Sequence, residues 1–133
     1  MNEKKIKNDS LQFKMDQQKV FQERFGHFFE GMDDIERVQF IKTHSYFIIE
    51  EIVEMLRTNP YHKPWKDYSH LTKEEIDEMW IEAREEYIDV LHFVINIGLA
   101  LGLDSQTIKQ MYIDKNKINI RRQEDPSLGY VNK

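Results

Sequence analysis

Glu51 and Glu54 stand three residues apart, and Glu86 and Asp89 repeat that spacing further along the chain. On a helix such a pair shares one face, so each pair aims two carboxylates at the same region of space. Glu51 falls inside an apolar stripe, three residues after Ile48 and four before Met55. The face bearing Glu82, Glu85, Glu86 and Asp89 continues as Phe93, Ile97 and Ala100. Acids carried toward a core repel one another and lose hydration, so they require a compensating cation. An all-oxygen ligand set suits magnesium, with manganese as a substitute. The plain alternative for any single residue is a solvated acidic face with Lys or Arg neighbours; two matched pairs with apolar flanks favour the metal. His92, three residues after Asp89, raises an iron site, but carboxylate-bridged iron bundles place Glu-x-x-His on two helices. Only one helix here has anything similar, so His92 and His44 read as packing or hydrogen-bonding residues.

A second chemical grouping is basic. Lys115, Lys117, Arg121 and Arg122 are interleaved with Asn116, Asn119 and Gln123. Arg offers a planar fork and Lys a mobile point charge for phosphate oxygens, although cations also gather at helix C-termini for electrostatic reasons alone. Together with a metal site, the cluster reads as a triphosphate cradle. Trp65 and the glutamines Gln17, Gln18 and Gln22 offer a stacking surface and hydrogen-bond donors for a base, against the bland reading of a loop Trp plugging the core.

The elements that position these residues follow from punctuation and period. Ser10 caps a first helix expected from Leu11 to about Glu30, broken by Gly31. Asp33 or Asp34 caps a second, in which Phe40, Ile41, His44, Phe47, Ile48, Ile52, Met55 and Leu56 form a buried stripe ended by Asn59-Pro60. Residues 59–71, with Pro60, Pro64, Tyr61, Trp65 and Tyr68, form an ordered loop that packs on something. Thr72 and Glu75 make a capping box for a third helix that is apolar all round between Tyr87 and Leu101, and therefore central. Gly102 closes it. Asp104 or Ser105 starts a fourth, which runs until Asp125-Pro126 forbids continuation.

The 133 residues suit one domain, spanning 1–133 with 1–9 expected to be flexible, and the five Gly and three Pro suit long helices better than a many-stranded sheet. The fold class is all-α, a four-helix antiparallel bundle, with exposed Phe, Ile and Met favouring a dimer. A net charge of -5 gives no broad attraction for nucleic acid. The absence of cysteine removes disulfides, thiolate metal sites and thiol nucleophiles. No apolar run reaches membrane-spanning length and the polar start lacks a signal-peptide core, so a soluble, cytoplasmic protein without membrane partners is expected.

With those residues in view, the chain resembles the MazG-like superfamily of all-α nucleoside triphosphate pyrophosphatases. Its signature, Glu-Glu-x-x-Glu followed on a later helix by Glu-x-x-Asp, stands here as Glu50-Glu51-Ile52-Val53-Glu54 and Glu86-Tyr87-Ile88-Asp89. Within the superfamily it looks most like the dimeric dUTPases and their phage dCTPase-dUTPase relatives, from Gln18 to Tyr130. The matching segments are Gln18-Lys19-Val20-Phe21-Gln22, Lys63-Pro64-Trp65-Lys66, Asp89-Val90-Leu91-His92-Phe93 and Lys115-Asn116-x-x-Asn119-x-x-Arg122-Gln123, ahead of Gly129-Tyr130. The chain departs in a short loop between its second and third helices and in Asp125-Pro126-Ser127-Leu128, inserted before Gly129.

The resemblance implies hydrolysis of dUTP to dUMP and pyrophosphate by a homodimer, with dCTP or another dNTP as the nearest variant. Two or more Mg²⁺ ions would be held by Glu51, Glu54, Glu86 and Asp89, with Glu51 or Glu54 orienting the water or taking its proton. Lys115, Asn116, Asn119, Arg121, Arg122 and Gln123 would hold phosphates or sugar, and Gln18, Gln22, Trp65 and Phe93 the base. Gln22 stands where dUTPases often have Asn or Asp, and its amide offers either a donor or an acceptor. A helical dimer acting only as a non-catalytic binding or regulatory module explains the bundle but not the inward acids.

Overall fold

Each of the four α-helices among the described residues begins at a side chain that satisfies an otherwise unpaired amide of its first turn. The structure, a computed structural model, describes residues 10–125 and residue 127; the expectations for residues 1–9, Pro126, Leu128 and Gly129-Tyr130 lie outside these. The Ser10 hydroxyl accepts from the Phe13 amide at 3.2 Å, opening α1 (Leu11–Glu23). Asp33 accepts from Glu36 N–H at 2.8 Å, opening α2 (Asp34–Thr58). The Thr72–Glu75 box forms in both directions at the head of α3 (Lys73–Ala100), and Asp104 accepts from Thr107 N–H at 2.8 Å at the head of α4 (Ser105–Glu124). Such caps contribute roughly 1 kcal/mol each. The all-α expectation holds: four α-helices and one short 3-10 turn make up the regular structure of the described residues.

The first helix is shorter than its apolar pattern suggests. It ends at Glu23 because Gly26, at φ 84°, turns the chain out of the helix, with Gly26 N–H bonded to Glu23 O and His27 N–H to Gln22 O. Residues Phe29–Gly31 then form the 3-10 turn. The break thus falls five residues before Gly31, at the glycine whose missing Cβ permits a left-handed conformation. Gly102, at φ 75°, ends α3 as expected, with Leu103 N–H bonded to Gly98 O and Gly102 N–H to Leu99 O, the double bond pattern that satisfies the last carbonyls.

α2 and α3 run antiparallel along each other: His44 lies beside Asn96, Phe47 beside Phe93 and Glu51 beside Glu86. α1 packs on α3, where Met15 is fully buried with its Cε near Gly98. A ladder of rings runs from the 3-10 turn into this interface. Phe29 meets Phe40 edge-on at 5.2 Å, Phe40 stacks on His44 at 3.9 Å, and His44 and Phe47 both brace Phe93. Lys19 and Glu30 form an ion pair that ties α1 to the 3-10 turn.

In the 59–71 connection Tyr68 is buried against Tyr61, and its hydroxyl accepts from Lys63 N–H at 3.3 Å. Trp65, in contrast, is 81% exposed, so packing of this loop is carried by Tyr68. α4 leaves α3 at 99° and joins the other helices through its first turns on α1. No single helix among the described residues is long and apolar enough to cross a membrane.

Candidate active site

The antiparallel register of α2 and α3 brings Glu86 against the Glu51–Glu54 pair, with Asp89 outside the trio. One carboxylate oxygen from each of Glu51, Glu54 and Glu86 lies within 4.8 Å of the others. Asp89, one turn after Glu86, acts on the same group: the Glu51 carboxyl is pushed up to about 7, first by a hydrogen bond with Glu86, then by burial, then by the charges of Glu54 and Asp89. A carboxyl that keeps its proton near neutral pH reports crowding of negative charge. Glu51 Oε2 and Glu86 Oε2 are both buried without a hydrogen-bond partner. Glu82 and Glu85 are exposed and stand outside this cluster.

This donor set fits a hard divalent cation. Octahedral Mg²⁺ with ligand distances of about 2.0–2.1 Å places its oxygens about 3 to 4 Å apart, which three carboxylates already within 4.8 Å reach by small side-chain rotations. The two orphaned oxygens would gain the partner they lack. Iron finds no Glu-x-x-His on either helix, only Asp89-x-x-His92, and no histidine joins Glu51, Glu54 and Glu86.

Beside the acids, a cavity of about 520 Å³ opens between α1, α2 and α3, lined by Gln17, Gln18, Phe21, Gln22, Glu51, Asp89, His92, Phe93 and Asn96. Gln18, Gln22 and Phe93, expected at a base, are thus joined to Glu51 and Asp89 in one space. His92 borders this cavity and lies outside the carboxylate cluster. Gln22 is buried, and its Oε1 accepts from His27 Nδ1 at 2.7 Å, which leaves the amide N–H groups for the cavity. The bond gives the Gln22 amide a direction that sequence alone leaves open.

Asn96 escaped the sequence reading. It is 2% exposed, its Nδ2 points to His44 Nδ1 at 3.5 Å, and its Oδ1 is buried without a partner. Burial, and then the nearby His27, lower the His44 imidazole to about 4, so His44 is neutral at physiological pH and its Nδ1 can accept. The available signal was periodic: Asn96 follows Asp89 by seven residues, on the same helix face, as a lone amide among Val94, Ile95 and Ile97.

The remaining expected residues stand apart from this cavity. Trp65 lies on the exposed 59–71 connection. Lys115, Asn116, Asn119, Arg121 and Gln123 are exposed on α4 and Arg122 is half-buried there; none lines the cavity.

Two curated relatives are named dCTP pyrophosphatase. That of Enterobacteria phage T4 is 37% identical over 68 residues, covering 47% of this chain and 40% of the relative. That of Enterobacteria phage LZ5 is 36% identical over 67 residues, covering 47% and 39%. A DNA replication protein of phage T4 is 37% identical over 60 residues, covering 41% of this chain and 15% of that protein. The chain therefore spans about 40% of the length of the two pyrophosphatases it matches. No family model matches the chain, and no solved structure matches it significantly. Over about half of its length the chain is thus similar to two phage proteins named dCTP pyrophosphatase, and its described residues are helical, as the motif predicts.

Proposed function

We propose that this chain hydrolyses a pyrimidine deoxynucleoside triphosphate, dCTP first, to the monophosphate and pyrophosphate. The observation that carries this reading is the convergence of Glu51, Glu54 and Glu86 beside a cavity that also holds Asp89, Phe93, Gln18 and Gln22. Glu51, Glu54, Glu86 and Asp89 would hold one or more Mg²⁺ ions, which supply Lewis-acid polarisation of the phosphates and make a nearby water more acidic.

Glu54 is the exposed member of the trio. Its exposure supports a role in taking a proton from water as the water oxygen bonds to phosphorus and pyrophosphate leaves. Glu51 and Glu86, with their sequestered oxygens, would chiefly hold the cation. The Phe93 ring, held by Phe47 and His44, stacks on the base. Gln22 Nε2 donates to a ring acceptor, and Asn96 Oδ1, after a small side-chain rotation, accepts from a base N–H. Cytosine offers N3 and its exocyclic amine to this pair; uracil offers O4 and N3–H. The amides therefore serve either base, and the relatives' names favour dCTP over the dUTP that the family resemblance puts first.

Incubation of the purified protein with dCTP, dUTP and the other dNTPs plus Mg²⁺, with products resolved by ion-exchange chromatography, tests this. The expected products are dCMP or dUMP with pyrophosphate. Release of orthophosphate and a nucleoside diphosphate, or no turnover of any dNTP, contradicts it, the second result leaving a non-catalytic module.

A further inference from the structure

Two buried amides face the cavity beside the acids, and each has an imidazole behind it. Gln22 and Asn96 both line that cavity. His27 Nδ1 meets Gln22 Oε1 at 2.7 Å, and His44 Nδ1 meets Asn96 Nδ2 at 3.5 Å. Neither histidine lines the cavity. Both border a separate space of about 590 Å³, where His27 meets the Phe40 ring edge-on at 5.3 Å and His44 stacks on it at 3.9 Å. One buried ring thus braces both imidazoles.

The path of the chain serves this arrangement. On a continuous helix, residues five apart point about 140° away from each other around the axis, so His27 would turn away from Gln22 if α1 continued. Gly26, at φ 84°, ends the helix and folds His27 back: its N–H bonds to Gln22 O at 3.1 Å while its ring bonds to the Gln22 side chain. The early end of α1 therefore sets the direction of one amide.

A side-chain amide keeps nearly the same shape when its O and N exchange places, so packing alone does not decide which end meets a ligand. A hydrogen-bond partner does. His27 donates from Nδ1 to Gln22 Oε1, which leaves the Gln22 NH2 group for the cavity. His44, neutral because it is buried, accepts at Nδ1 from the Asn96 NH2 group, which leaves the unpartnered Oδ1 as an acceptor. A bond of 2.7 Å holds more tightly than a contact of 3.5 Å, so Gln22 is the more firmly set of the two.

We infer that His27 and His44 are positioning residues for base selection: in opposite tautomers, with the proton of His27 on Nδ1 and that of His44 on Nε2, they hold Gln22 as a donor and Asn96 as an acceptor toward the base. This rests on the pyrophosphatase reading above. Which ring nitrogen carries the proton is set by the partner of the other, and here that choice is passed on to the substrate through an amide.

Kinetics of three variants test this. His27→Leu frees the Gln22 amide to turn, and should raise the KM for dCTP about fivefold with kcat within about twofold of wild type. His27→Asn puts an NH2 donor where Nδ1 stood, and should recover most of that loss. In a Gln22→Leu background His27→Leu should change KM no further, because the group it positions is gone. An unchanged KM in His27→Leu overturns the inference, as does an Asn variant no better than Leu, or an equal effect of His27→Leu with and without Gln22.

The second measurement uses the unaltered protein and needs no turnover. Long-range proton–nitrogen correlation spectra of the histidine rings, recorded near pH 8 where an ordinary imidazole is neutral, show which nitrogen of each ring is protonated. The expected result is Nδ1–H for His27 and Nε2–H for His44. The same tautomer in both, or the reverse assignment, overturns the inference whether or not the protein is active. The expected tautomers in a protein that turns over no dNTP would instead keep the polarity of the two amides and reject the pyrophosphatase reading.

Discussion

Glu51 and Glu86 bring carboxylate oxygens within 4.8 Å of each other across the α2–α3 interface, and each keeps a buried oxygen with no partner. Two carboxylates meet this way only if one holds a proton or a cation lies between them. The pair therefore has two states, protonated and metal-loaded, and they respond oppositely to pH.

In metal-free protein Glu51 binds its proton at about 7, above the ordinary 4.5 that it regains on unfolding. Between those values the native state holds more protons than the unfolded one, so stability falls as pH rises through 7. In EDTA the melting temperature should be lower at pH 8 than at pH 6.5, and Glu51→Gln should flatten the dependence. Excess Mg²⁺ should reverse the order, because its ligands bind deprotonated. His44 acts over an overlapping range in the opposite sense: its folded value of about 4 lies under the ordinary 6.5, so its contribution is lost as pH falls from 6.5 toward 4. A melting temperature in EDTA that rises from pH 6.5 to 8 would contradict the Glu51 assignment.

Glu54→Gln and Asp89→Asn should each lower dCTP turnover by about a hundredfold or more. Both residues are exposed, so circular dichroism should show an unchanged helical fold. Relief of repulsion should leave the metal-free melting temperature equal or higher. Turnover within a few-fold of wild type would remove either residue from the site.

Asn96→Leu separates function from stability. The substitution deletes a buried, unpaired acceptor whose retention costs about 1–3 kcal/mol, so the free protein should gain roughly 1 kcal/mol in urea denaturation. The same change should lower kcat/KM for dCTP about tenfold, the loss of one hydrogen bond to the base. An unchanged kcat/KM would leave Asn96 as a core residue only.

Phe93→Leu should raise the KM for dCTP about tenfold through lost stacking. Trp65, exposed on its loop and outside the cavity lining, sets the contrast. If it reads the base, Trp65→Ala should weaken binding as much as Phe93→Leu; if the cavity alone does, KM should stay within about twofold of wild type.

Much of this arrangement is legible in one-dimensional spacing. The i, i+3 acids and the apolar flanks of Glu51 foretell their convergence, because antiparallel register turns two helix faces into one site. The caps Ser10, Asp33, Thr72 and Asp104 are legible for the same local reason. Gly26 was passed over in favour of Gly31, since the Phe25, Phe28 and Phe29 pattern continues through the break and period carries no information on φ. Asn96 was missed because a single amide in an apolar run looks like noise until its Oδ1 is seen without a partner. The placement of α4 was not readable at all: an angle of 99° follows from the Gly102 turn and from what the helix packs against, and neither is written in its own period.

The most direct test of the carboxylate cluster is the binding of Mn²⁺, followed by electron paramagnetic resonance, in the wild-type protein and in the Glu51→Gln, Glu86→Gln double variant. The account predicts at least one bound ion per chain in the wild type, displaced by Mg²⁺, and a loss of affinity of tenfold or more in the variant. Equal binding by the two proteins, or none by either, would contradict it.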